Sequence, residues 1–364
     1  MDLSDYQHTA DLARAWTIPS RWYTDPSFLD LEKRAVFWHT WQVAGHKLAV
    51  AEPGQYFPAE VAGEPLVVAR AEDGVLRAYS NVCRHRGSIL VEQCGSGSVL
   101  RCPYHGWSYK LDGRLHGAPE FEGVADWDPG QVCLPPSRAE TWGPFVLINV
   151  DGKAPSWDEV IGSIPMQIQD LGCQFSQLNF SQRRDYIVQC NWKVYVDNYL
   201  EGYHLPTAHP GLFRELDYSR YRVETHRWHS LQHAPIRTVN QGERRQYGPE
   251  QAGERALYFW IFPNLMLNVY PDNLSVNLIV PLSHDRTLTI FEWFTYPENG
   301  QPVPVKLETV AFSDEIQQED IRICEAVQKG LGSRSYRAGR FSARRENGVH
   351  HFHLLLYEAL RSSL

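Results

Sequence analysis

Two stretches of this chain decide its fold, Cys83-Arg84-His85-Arg86-Gly87 and Cys102-Pro103-Tyr104-His105-Gly106-Trp107. Each stretch offers one thiolate and one imidazole, and a glycine follows each histidine. A glycine at that place suits a tight loop whose backbone N–H groups point towards a bound group. The two loops are therefore expected to lie together and to hold one common group.

Two cysteines and two histidines are the ligand set of a Rieske [2Fe–2S] centre. The cysteines hold one iron and the histidines replace cysteines on the other, which makes Cys83, His85, Cys102 and His105 the predicted ligands. Histidine ligands raise the reduction potential, so that the cluster can pass single electrons onward. A structural zinc site is the competing interpretation. It is disfavoured because zinc sites usually pair like ligands in each loop, whereas both loops here mix cysteine with histidine.

The residues around these loops carry a β pattern. Between residues 41 and 151, short β-type runs at 65–69, 76–80, 99–102 and 145–149 alternate with turns. Asp112-Gly113 is a hairpin signal. Residues 41–151 are therefore predicted to form a small all-β Rieske domain. Ahead of it, the spacing of apolar residues predicts a helix over 25–45, and residues 1–40 are expected to pack with the catalytic domain.

The second half of the chain predicts an α+β domain over residues 152–364. Helices are expected over 157–171 and 191–201, and a long helix over 310–329 with Gly330 at its C-cap. A β run at 184–189 and four further runs predict an antiparallel sheet; the four are 256–262, 265–270, 274–281 and 287–296. A sheet that grasps a long C-terminal helix is a helix-grip (START-like) arrangement.

Composition excludes some partners and locations. The net charge is −8 and no basic run occurs, which argues against nucleic acid or an anionic membrane as a partner. The polar start Met1-Asp2-Leu3-Ser4-Asp5 lacks a signal peptide, and no apolar run approaches the length of a membrane span. The number of cysteines, seven, is odd, and the five outside the two loops (Cys94, Cys133, Cys173, Cys190 and Cys324) show no paired spacing, which is typical of free thiols in a reducing compartment. A cytoplasmic protein is expected.

A second group of metal-binding residue types lies between residues 197 and 209. His204 and His209 lie five residues apart, and two imidazoles with one carboxylate form the facial triad of a non-haem Fe(II) oxygenase. The carboxylate can come from Glu201, from Asp197 or from the distant Asp320. Spacing alone does not choose among the three. Next to a Rieske centre, an iron site would give the electrons a destination.

Together these motifs resemble the α subunit of the Rieske non-haem iron oxygenases of the ring-hydroxylating type. The resemblance covers nearly the whole chain and rests on both Cys/His loops, on Asn191-Trp192-Lys193 and on Glu201-x-x-His204-x-x-x-x-His209. In that family the third iron ligand is an aspartate five residues before a glutamate on the C-terminal helix. The resemblance thus implies Asp320, ahead of Glu325, as the ligand. It leaves Asp314 and Glu319 as acids of the solvated helix face or of the helix start.

The resemblance also implies a route for the electrons. Glu201 matches the carboxylate that links a Rieske histidine of one subunit to an iron ligand of the next, although many family members carry aspartate there. Asp197 is a further candidate behind the iron ligands. The implied cofactors are a [2Fe–2S] cluster and Fe(II), with O2 as cosubstrate. The implied partners are two further copies in a homotrimer and a separate NAD(P)H-dependent reductase or ferredoxin, consistent with the lack of a Gly-x-Gly-x-x-Gly fingerprint.

Within the family, the sequence is most similar to the branch that oxidises choline, glycine betaine and carnitine. The similarity lies in residues 196–204, 142–146, 339–342 and 350–353. It implies hydroxylation next to a quaternary nitrogen, and at an N-methyl group this leads to demethylation and formaldehyde. Hydroxylation or demethylation of an aromatic acid is the alternative within the class. An electron-transfer protein without oxygenase activity is the alternative from another class.

The residues that would line a substrate pocket are less well defined by sequence. Aromatic faces bind quaternary ammonium groups, and core packing is the competing role for each aromatic candidate, namely Tyr203, Phe259, Trp260, Phe262, Trp293 and Phe294. Arg237 or Arg244 can anchor a substrate carboxylate. His350, His351 and His353 are expected to pack structurally, on a strand and with no acid positioned beside them.

Overall fold

The structure is a computed structural model that describes residues 2–173, 175–237, 255–270 and 272–364. The chain divides into two compact units. One unit comprises residues 37–157, and the other combines residues 1–36 with residues 158–364. Each unit is built around sheets of its own.

The unit of residues 37–157 is all-β, as its sequence pattern predicts. Its strands are β1 (Gln42–His46), β2 (Gln55–Val61), β3 (Glu64–Arg70), β4 (Leu76–Ser80), β5 (Gly95–Ser96), β6 (Val99–Arg101), β7 (Ser108–Lys110), β8 (Leu115–Gly117), β9 (Pro136–Trp142) and β10 (Phe145–Asn149). One sheet has the order β1-β10-β9-β4-β3-β2-β5, and a smaller sheet has the order β6-β7-β8. The first Cys/His loop joins β4 to β5, and the second joins β6 to β7.

A buried core fixes the two Cys/His loops from behind. Both cysteines belong to the same hydrophobic cluster as Trp107 and Tyr109. The predicted Asp112-Gly113 hairpin is present, since β7 pairs with β8 in antiparallel register and Gly113 has a φ of +86°. A residue with a side chain would be strained at that φ. The local turn and the packing of residues distant in sequence therefore both favour the all-β structure of this unit.

The predicted helix over residues 25–45 is wrong in its second half. Helix α1 (Arg21–Thr24) and helix α2 (Pro26–Glu32) are followed by a π-helical stretch, Lys33–Phe37, and then by strand β1. Gln42 pairs with Ile148 and Val43 with Leu147. Pairing with a strand a hundred residues away therefore overrides the local helical spacing, because apolar residues at mixed intervals fit either element.

The second unit contains an antiparallel sheet and several helices. In chain order its further helices and strands are α3 (Trp157–Ile161), whose first residue still belongs to the all-β unit, α4 (Ile164–Asp170), β11 (Asn179–Val188), α5 (Trp192–Tyr199), α6 (Leu205–Ala208), α7 (Pro210–Glu215), β12 (Arg222–Thr225), β13 (His229–Pro235), β14 (Arg255–Ile261), β15 (Leu265–Val269), β16 (Asn273–Ser283), β17 (Arg286–Thr295), α8 (Leu307–Leu331) and α9 (Asn347–Ser362). The strands follow the order β11-β17-β16-β15-β14-β13-β12. The predicted α+β meander with its long C-terminal helix is confirmed.

The long helix α8 lies against this sheet and against α5. From α8, Gln317 donates its amide to the hydroxyl of Thr289 on β17 at 3.0 Å. The Gln317 side chain also accepts a hydrogen bond from the Tyr195 hydroxyl on α5. The helix passes Gly330 and is capped by Gly332, two residues beyond the predicted end. Because α8 is bonded both to the sheet and to α5, its side chains can reach the space between them.

Two other predicted elements differ from the structure. The helix expected over 157–171 is interrupted at Gly162, whose φ of +49° no continuous right-handed helix allows. The tail histidines lie on helix α9 and not on a strand. Val349, Phe352 and Leu356 recur along α9 at intervals of three and four residues and are buried, which is the pattern of an amphipathic helix. None of the helices in the described residues combines the length and the apolar character needed to cross a membrane.

A fully buried ion pair anchors α5. The ammonium of Lys193 contacts Oε1 of Glu32 at 2.5 Å, and both side chains are inaccessible to solvent. The indole N–H of Trp192 donates to Oε2 of the same glutamate at 2.7 Å. Removing one member of such a pair leaves an uncompensated charge in the core.

We predict that Lys193→Met lowers the free energy of unfolding by about 3–5 kcal/mol, because the Glu32 carboxylate loses its counter-ion. Urea unfolding followed by circular dichroism measures the change. The double variant Glu32→Leu/Lys193→Met is the control, and we expect it to be more stable than the single variant. Equal stability of wild type and Lys193→Met would contradict this account of the pair.

Candidate metal centres and substrate cavity

The two Cys/His loops share one backbone design. In each loop the cysteine N–H donates to the carbonyl five residues on, at 2.8 Å in the first loop and 2.7 Å in the second. In each, the glycine N–H donates back to the cysteine carbonyl, at 3.0 Å for Gly87 and 3.1 Å for Gly106. Both glycines have a positive φ, +75° and +76°. The glycine predicted to close each loop is therefore required by its backbone conformation.

These loops bring the four predicted cluster ligands together. The rings of His85 and His105 have centroids 4.7 Å apart, and Cys83 and Cys102 belong to one buried cluster. Nδ1 of His85 is buried and has no hydrogen-bond partner among the residues that the structure describes. A buried polar atom of this kind is costly unless it binds something. The donor set and the unsatisfied nitrogen both fit a cluster held by two thiolates and two imidazoles.

The surroundings act differently on the two thiols. Burial raises the pKa of the Cys83 thiol. Burial also acts to raise the pKa of the Cys102 thiol, but hydrogen bonds from the backbone N–H groups of Tyr104 and His105 and from the side chains of Cys83 and Ser88 together outweigh it, and the net pKa is lowered.

The hydroxyl of Tyr109 lies 3.4 Å from Sγ of Cys83 and accepts the backbone N–H of Arg84 at 2.9 Å. The hydroxyl proton of Tyr109 is then available to the sulfur. Sequence reasoning missed Tyr109, and only its place between the second loop and the Asp112-Gly113 hairpin signal was a clue.

A second cluster of potential ligands lies in the other unit. Its members are His204, His209 and Asp320, whose ligand atoms all lie within 4.8 Å of one another. The histidines flank the short helix α6, and the aspartate comes from α8. Two imidazoles and one carboxylate are the donor set that an Fe(II) ion with open coordination positions takes. Among the described residues, this is the group of three histidine, cysteine or acidic side chains close enough to hold a metal.

A carboxylate orients each of the two histidines. Nδ1 of His204 hydrogen-bonds Oε1 of Glu201 at 2.5 Å, and Nδ1 of His209 hydrogen-bonds Oε2 of Glu319 at 2.7 Å. Because an ionised carboxylate only accepts hydrogen bonds, both Nδ1 atoms carry the proton. The Nε2 atoms can then bind a metal, and Nε2 of His209 lies 3.0 Å from Oδ1 of Asp320.

Two contributors to this site were not anticipated from sequence. Glu319 was expected on a solvated helix face or at the helix start, but its side chain is mostly buried against His209. Asn198 donates its amide to Oδ1 of Asp320 at 2.6 Å. The signal for Glu319 was its position beside Asp320, because a metal-binding histidine needs a partner for its other nitrogen. Asp314, the other acid set aside, pairs with Arg184 at 3.2 Å.

The other two carboxylates of the motif lie outside the three-residue cluster. Glu201 binds Nδ1 of His204 and accepts the backbone N–H of His204 at 3.2 Å. Asp197 points to the opposite side of α5, where it accepts the Tyr23 hydroxyl at 2.6 Å and contacts Nε2 of His353 at 3.0 Å. The expectation that no acid lies beside the tail histidines is therefore wrong for His353.

A cavity opens beside the three-residue cluster. Its wall includes His204, His209, Asp320 and Glu201. The rest of the wall combines aliphatic and neutral polar side chains with eight aromatic residues, Tyr195, Tyr199, Tyr221, Tyr258, Tyr270, Phe291, Trp293 and Phe312. Of the described residues that line it, none is lysine or arginine. The cavity therefore combines aromatic faces with carboxylates, an environment that suits a cation.

The predicted pocket residues divide into two groups. Trp293 lines the cavity, whereas Tyr203 is exposed and Trp260 packs against Phe352 of α9. Phe259, Phe262 and Phe294 are also buried away from the cavity wall. The guanidinium of Arg237 lies over the ring of Phe213, 5.3 Å from its centroid, and does not line the cavity. Arg244 lies outside the described residues.

Comparison with known proteins gives the same two-part organisation. Residues 40–128 match the family described as Rieske [2Fe-2S] domain. Residues 175–362 match the family described as ring hydroxylating alpha subunit (catalytic domain). The second match alone spans more than half of the chain.

Individual relatives extend the similarity along the chain. The chain is 35% identical to the chloroplastic choline monooxygenase of Arabidopsis thaliana, over 99% of this chain and 86% of that protein. It is also 35% identical to the carnitine monooxygenase oxygenase subunit of Escherichia coli (strain K12), over 97% of this chain and 96% of that protein. The solved structure of a quaternary ammonium Rieske monooxygenase in complex with L-carnitine aligns with a TM-score of 0.80 at 30% identity, covering 96% of this chain and 97% of that one.

We predict that Glu319→Gln weakens iron binding by about 10–100-fold, because the amide is a poorer acceptor for Nδ1–H of His209 and leaves Nε2 less basic. Iron retained after dialysis against a chelator series measures the change. Glu325→Gln is a matched control on the same helix, since Glu325 accepts the backbone N–H of Gln189 and no imidazole. Equal iron loss in the two variants would contradict the orienting role of Glu319.

Proposed function

This chain belongs to the Rieske non-haem iron oxygenases with a ring-hydroxylating type catalytic domain, and from that premise we propose that it oxidises a small quaternary ammonium compound. Such an enzyme uses a [2Fe–2S] cluster, a mononuclear iron and O2. When bound, the cluster supplies single electrons and the iron activates O2 for hydroxylation of a C–H bond. The alternative of a pure electron-transfer protein is set aside, because the chain has the catalytic domain as well.

The proposed ligands follow from the two clusters of side chains. Cys83 and Cys102 hold one iron of the [2Fe–2S] cluster, and His85 and His105 hold the other. The adjoining histidine rings and the unsatisfied Nδ1 of His85 support this assignment.

The mononuclear iron is assigned to the other cluster of side chains. His204, His209 and Asp320 bind it, supported by the ligand atoms within 4.8 Å of one another. Glu201 and Glu319 keep the Nδ1 protons in place, and Asn198 holds Asp320.

Glu201 has a second proposed role, between two subunits. It lies directly behind His204 and is in reach of its Nδ1 proton at 2.5 Å. In the family that this chain resembles, a carboxylate at this place connects the iron of one subunit to the Rieske histidine of the next. We therefore expect a homotrimer in which electrons pass between neighbouring chains through Glu201.

The electrons that enter this assembly need an outside source. We expect a separate NAD(P)H-dependent reductase or ferredoxin, since the sequence carries no dinucleotide-binding fingerprint. We expect a cytoplasmic location, since the five cysteines outside the two loops show no paired spacing in the sequence.

The cavity is the observation that carries the substrate class. A quaternary ammonium group has no N–H to donate and is bound by aromatic faces and nearby negative charge. Phe291, Trp293 and several tyrosines provide the faces. An aromatic acid has no ammonium group for these faces to bind, and the described cavity residues include no lysine or arginine that would anchor its carboxylate in place of that contact. The names of the relatives, choline and carnitine monooxygenases, point to the same class.

A substrate panel tests this proposal directly. Chemically reduced protein is mixed with O2 and with choline, glycine betaine, carnitine, γ-butyrobetaine or benzoate, and products are identified by mass spectrometry. Hydroxylation of an N-methyl group takes O2, two electrons and two protons, and releases water, formaldehyde and the tertiary amine. We expect an oxidised product from at least one quaternary amine and none from benzoate. Turnover of benzoate alone would overturn the substrate class.

We predict that His204→Ala abolishes substrate oxidation, by at least about 100-fold, because an iron ligand is lost. The visible absorption of the [2Fe–2S] cluster should remain, since its proposed ligands lie in the other unit. His350→Ala is a control of the same chemical change on helix α9, where the imidazole hydrogen-bonds the carbonyl of Thr9. Retained substrate oxidation in His204→Ala would remove this histidine from the iron site.

We predict that Glu201→Gln slows electron transfer from the [2Fe–2S] cluster to the mononuclear iron, while the protein still binds both. The amide cannot take the proton of Nδ1 of His204 as a carboxylate does, so electron transfer between the centres should slow by about 100-fold or more. Stopped-flow absorption of the cluster during a single turnover measures the rate of its reoxidation. An unchanged rate would show that the electrons do not pass through Glu201.

A further inference from the structure

A strip of neutral polar side chains crosses the aromatic wall of the cavity. Asn268 lies on β15, and Ser275 and Asn277 lie on β16, all with side chains on the face of the sheet that lines the cavity. Each of the three residues is less than 9% exposed. Phe291 is paired with Asn277 across β16 and β17, and Trp293 with Ser275. The strip therefore lies among the aromatic faces that bind a quaternary ammonium group.

Hydrogen bonds orient this strip from one end. The hydroxyl of Tyr199 donates to Oδ1 of Asn268 at 2.9 Å. Nδ2 of Asn268 then donates to Oγ of Ser275 at 3.0 Å and to Oδ1 of Asn277 at 3.4 Å. Because Oδ1 of Asn277 is the acceptor in this chain of bonds, its Nδ2 is turned away from Asn268. Within the described part of the chain, Nδ2 of Asn277 has no acceptor.

Nδ2 of Asn277 is not one of the fully buried polar atoms that lack a partner, so it is a donor open to the cavity. Such a donor binds water when the cavity is empty, and a ligand that displaces the water must supply an acceptor or lose that hydrogen bond. Here the donor lies on a cavity wall, so a bound molecule can supply the missing acceptor. A neutral amide suits a site for a cationic substrate better than an arginine does, because it binds oxygen without repelling the ammonium group.

We propose that Asn277 is a specificity-determining residue whose Nδ2 donates a hydrogen bond to the hydroxyl or carboxylate oxygen of a quaternary amine substrate. The proposal rests on the proposed function and adds which end of the substrate is recognised. Aromatic faces bind the ammonium end, and Asn277 selects molecules that carry an oxygen at the other end.

Two matched pairs of ligands test this role by isothermal titration calorimetry on the iron-loaded protein without O2. Choline is compared with trimethyl(propyl)ammonium, in which a methyl group replaces the hydroxyl. γ-Butyrobetaine is compared with trimethyl(4-methylpentyl)ammonium, in which an isopropyl group replaces the carboxylate. In the wild type, we expect the oxygen-bearing member of at least one pair to bind about tenfold more tightly or better.

The variant Asn277→Leu should remove that preference. The dissociation constant of the oxygen-bearing ligand should rise about tenfold, while that of its apolar counterpart stays within about twofold. Asn277→Asp has the same shape and no amide donor. It should retain a hydroxyl ligand, whose proton it can accept, and reject a carboxylate ligand more strongly than Asn277→Leu does. This variant distinguishes the two kinds of oxygen and keeps the test possible if Asn277→Leu does not fold.

Asn273→Leu is the matched control. Asn273 is a buried asparagine on the same strand, two positions before Ser275, but it does not line the cavity. This variant should change both members of each pair equally.

The outcomes separate this proposal from the proposed function. Tight binding and oxidation of quaternary amines with an unchanged preference in Asn277→Leu would overturn the role of Asn277 and leave the proposed function intact. Failure of the wild type to bind any quaternary amine would overturn both. A loss of affinity for both members of each pair in Asn277→Leu would identify a packing role and also overturn the proposal.

Discussion

A histidine that binds a metal through one ring nitrogen must have its other nitrogen held in place, and this requirement organises the catalytic unit. His209 illustrates it, since Glu319 meets its Nδ1 and Asp320 faces its Nε2, although the two acids are neighbours on α8. One turn of one helix thus supplies both the orienting carboxylate and a candidate ligand. Both acids can contact His209 only if α8 is held at a fixed distance from this histidine.

The rest of the unit holds α8 in that position. The helix is bonded to the sheet through Gln317 and Thr289 and to α5 through Asn198 and Asp320. Helix α5 is itself anchored by the buried Lys193. The cavity lies between the sheet and these helices, and Phe291 and Trp293 of its wall are on β17, the strand that also carries Thr289. Metal site and substrate cavity are therefore two sides of one packing arrangement.

The sequence pattern predicted helices and strands correctly where the apolar residues followed a single period. The long helix, the β-meander and both Cys/His loops lie where the sequence placed them, and the positive φ of Gly87 and Gly106 agrees with the loop chemistry. Prediction failed where two periods were compatible with the same residues. Residues 42–45 were expected to be helical but lie on β1, which pairs with β10, and the tail histidines, considered on a strand, lie on helix α9. In both places, packing against distant residues decided between elements with similar local free energies.

The sequence by itself determined the chemistry that is available. The mixed Cys/His loops and the pair His204 and His209 can be read from residue types and spacing, and the family resemblance then implied Asp320. Only the tertiary structure decided which side chains serve those groups. Glu319 and Asn198 became partners of the candidate ligands, Asp197 turned to the other side of α5, and one amide of the cavity wall was left without an acceptor. The physical reason is that a hydrogen bond depends on distance and direction to within a fraction of an ångström, and sequence spacing fixes neither between residues on different elements.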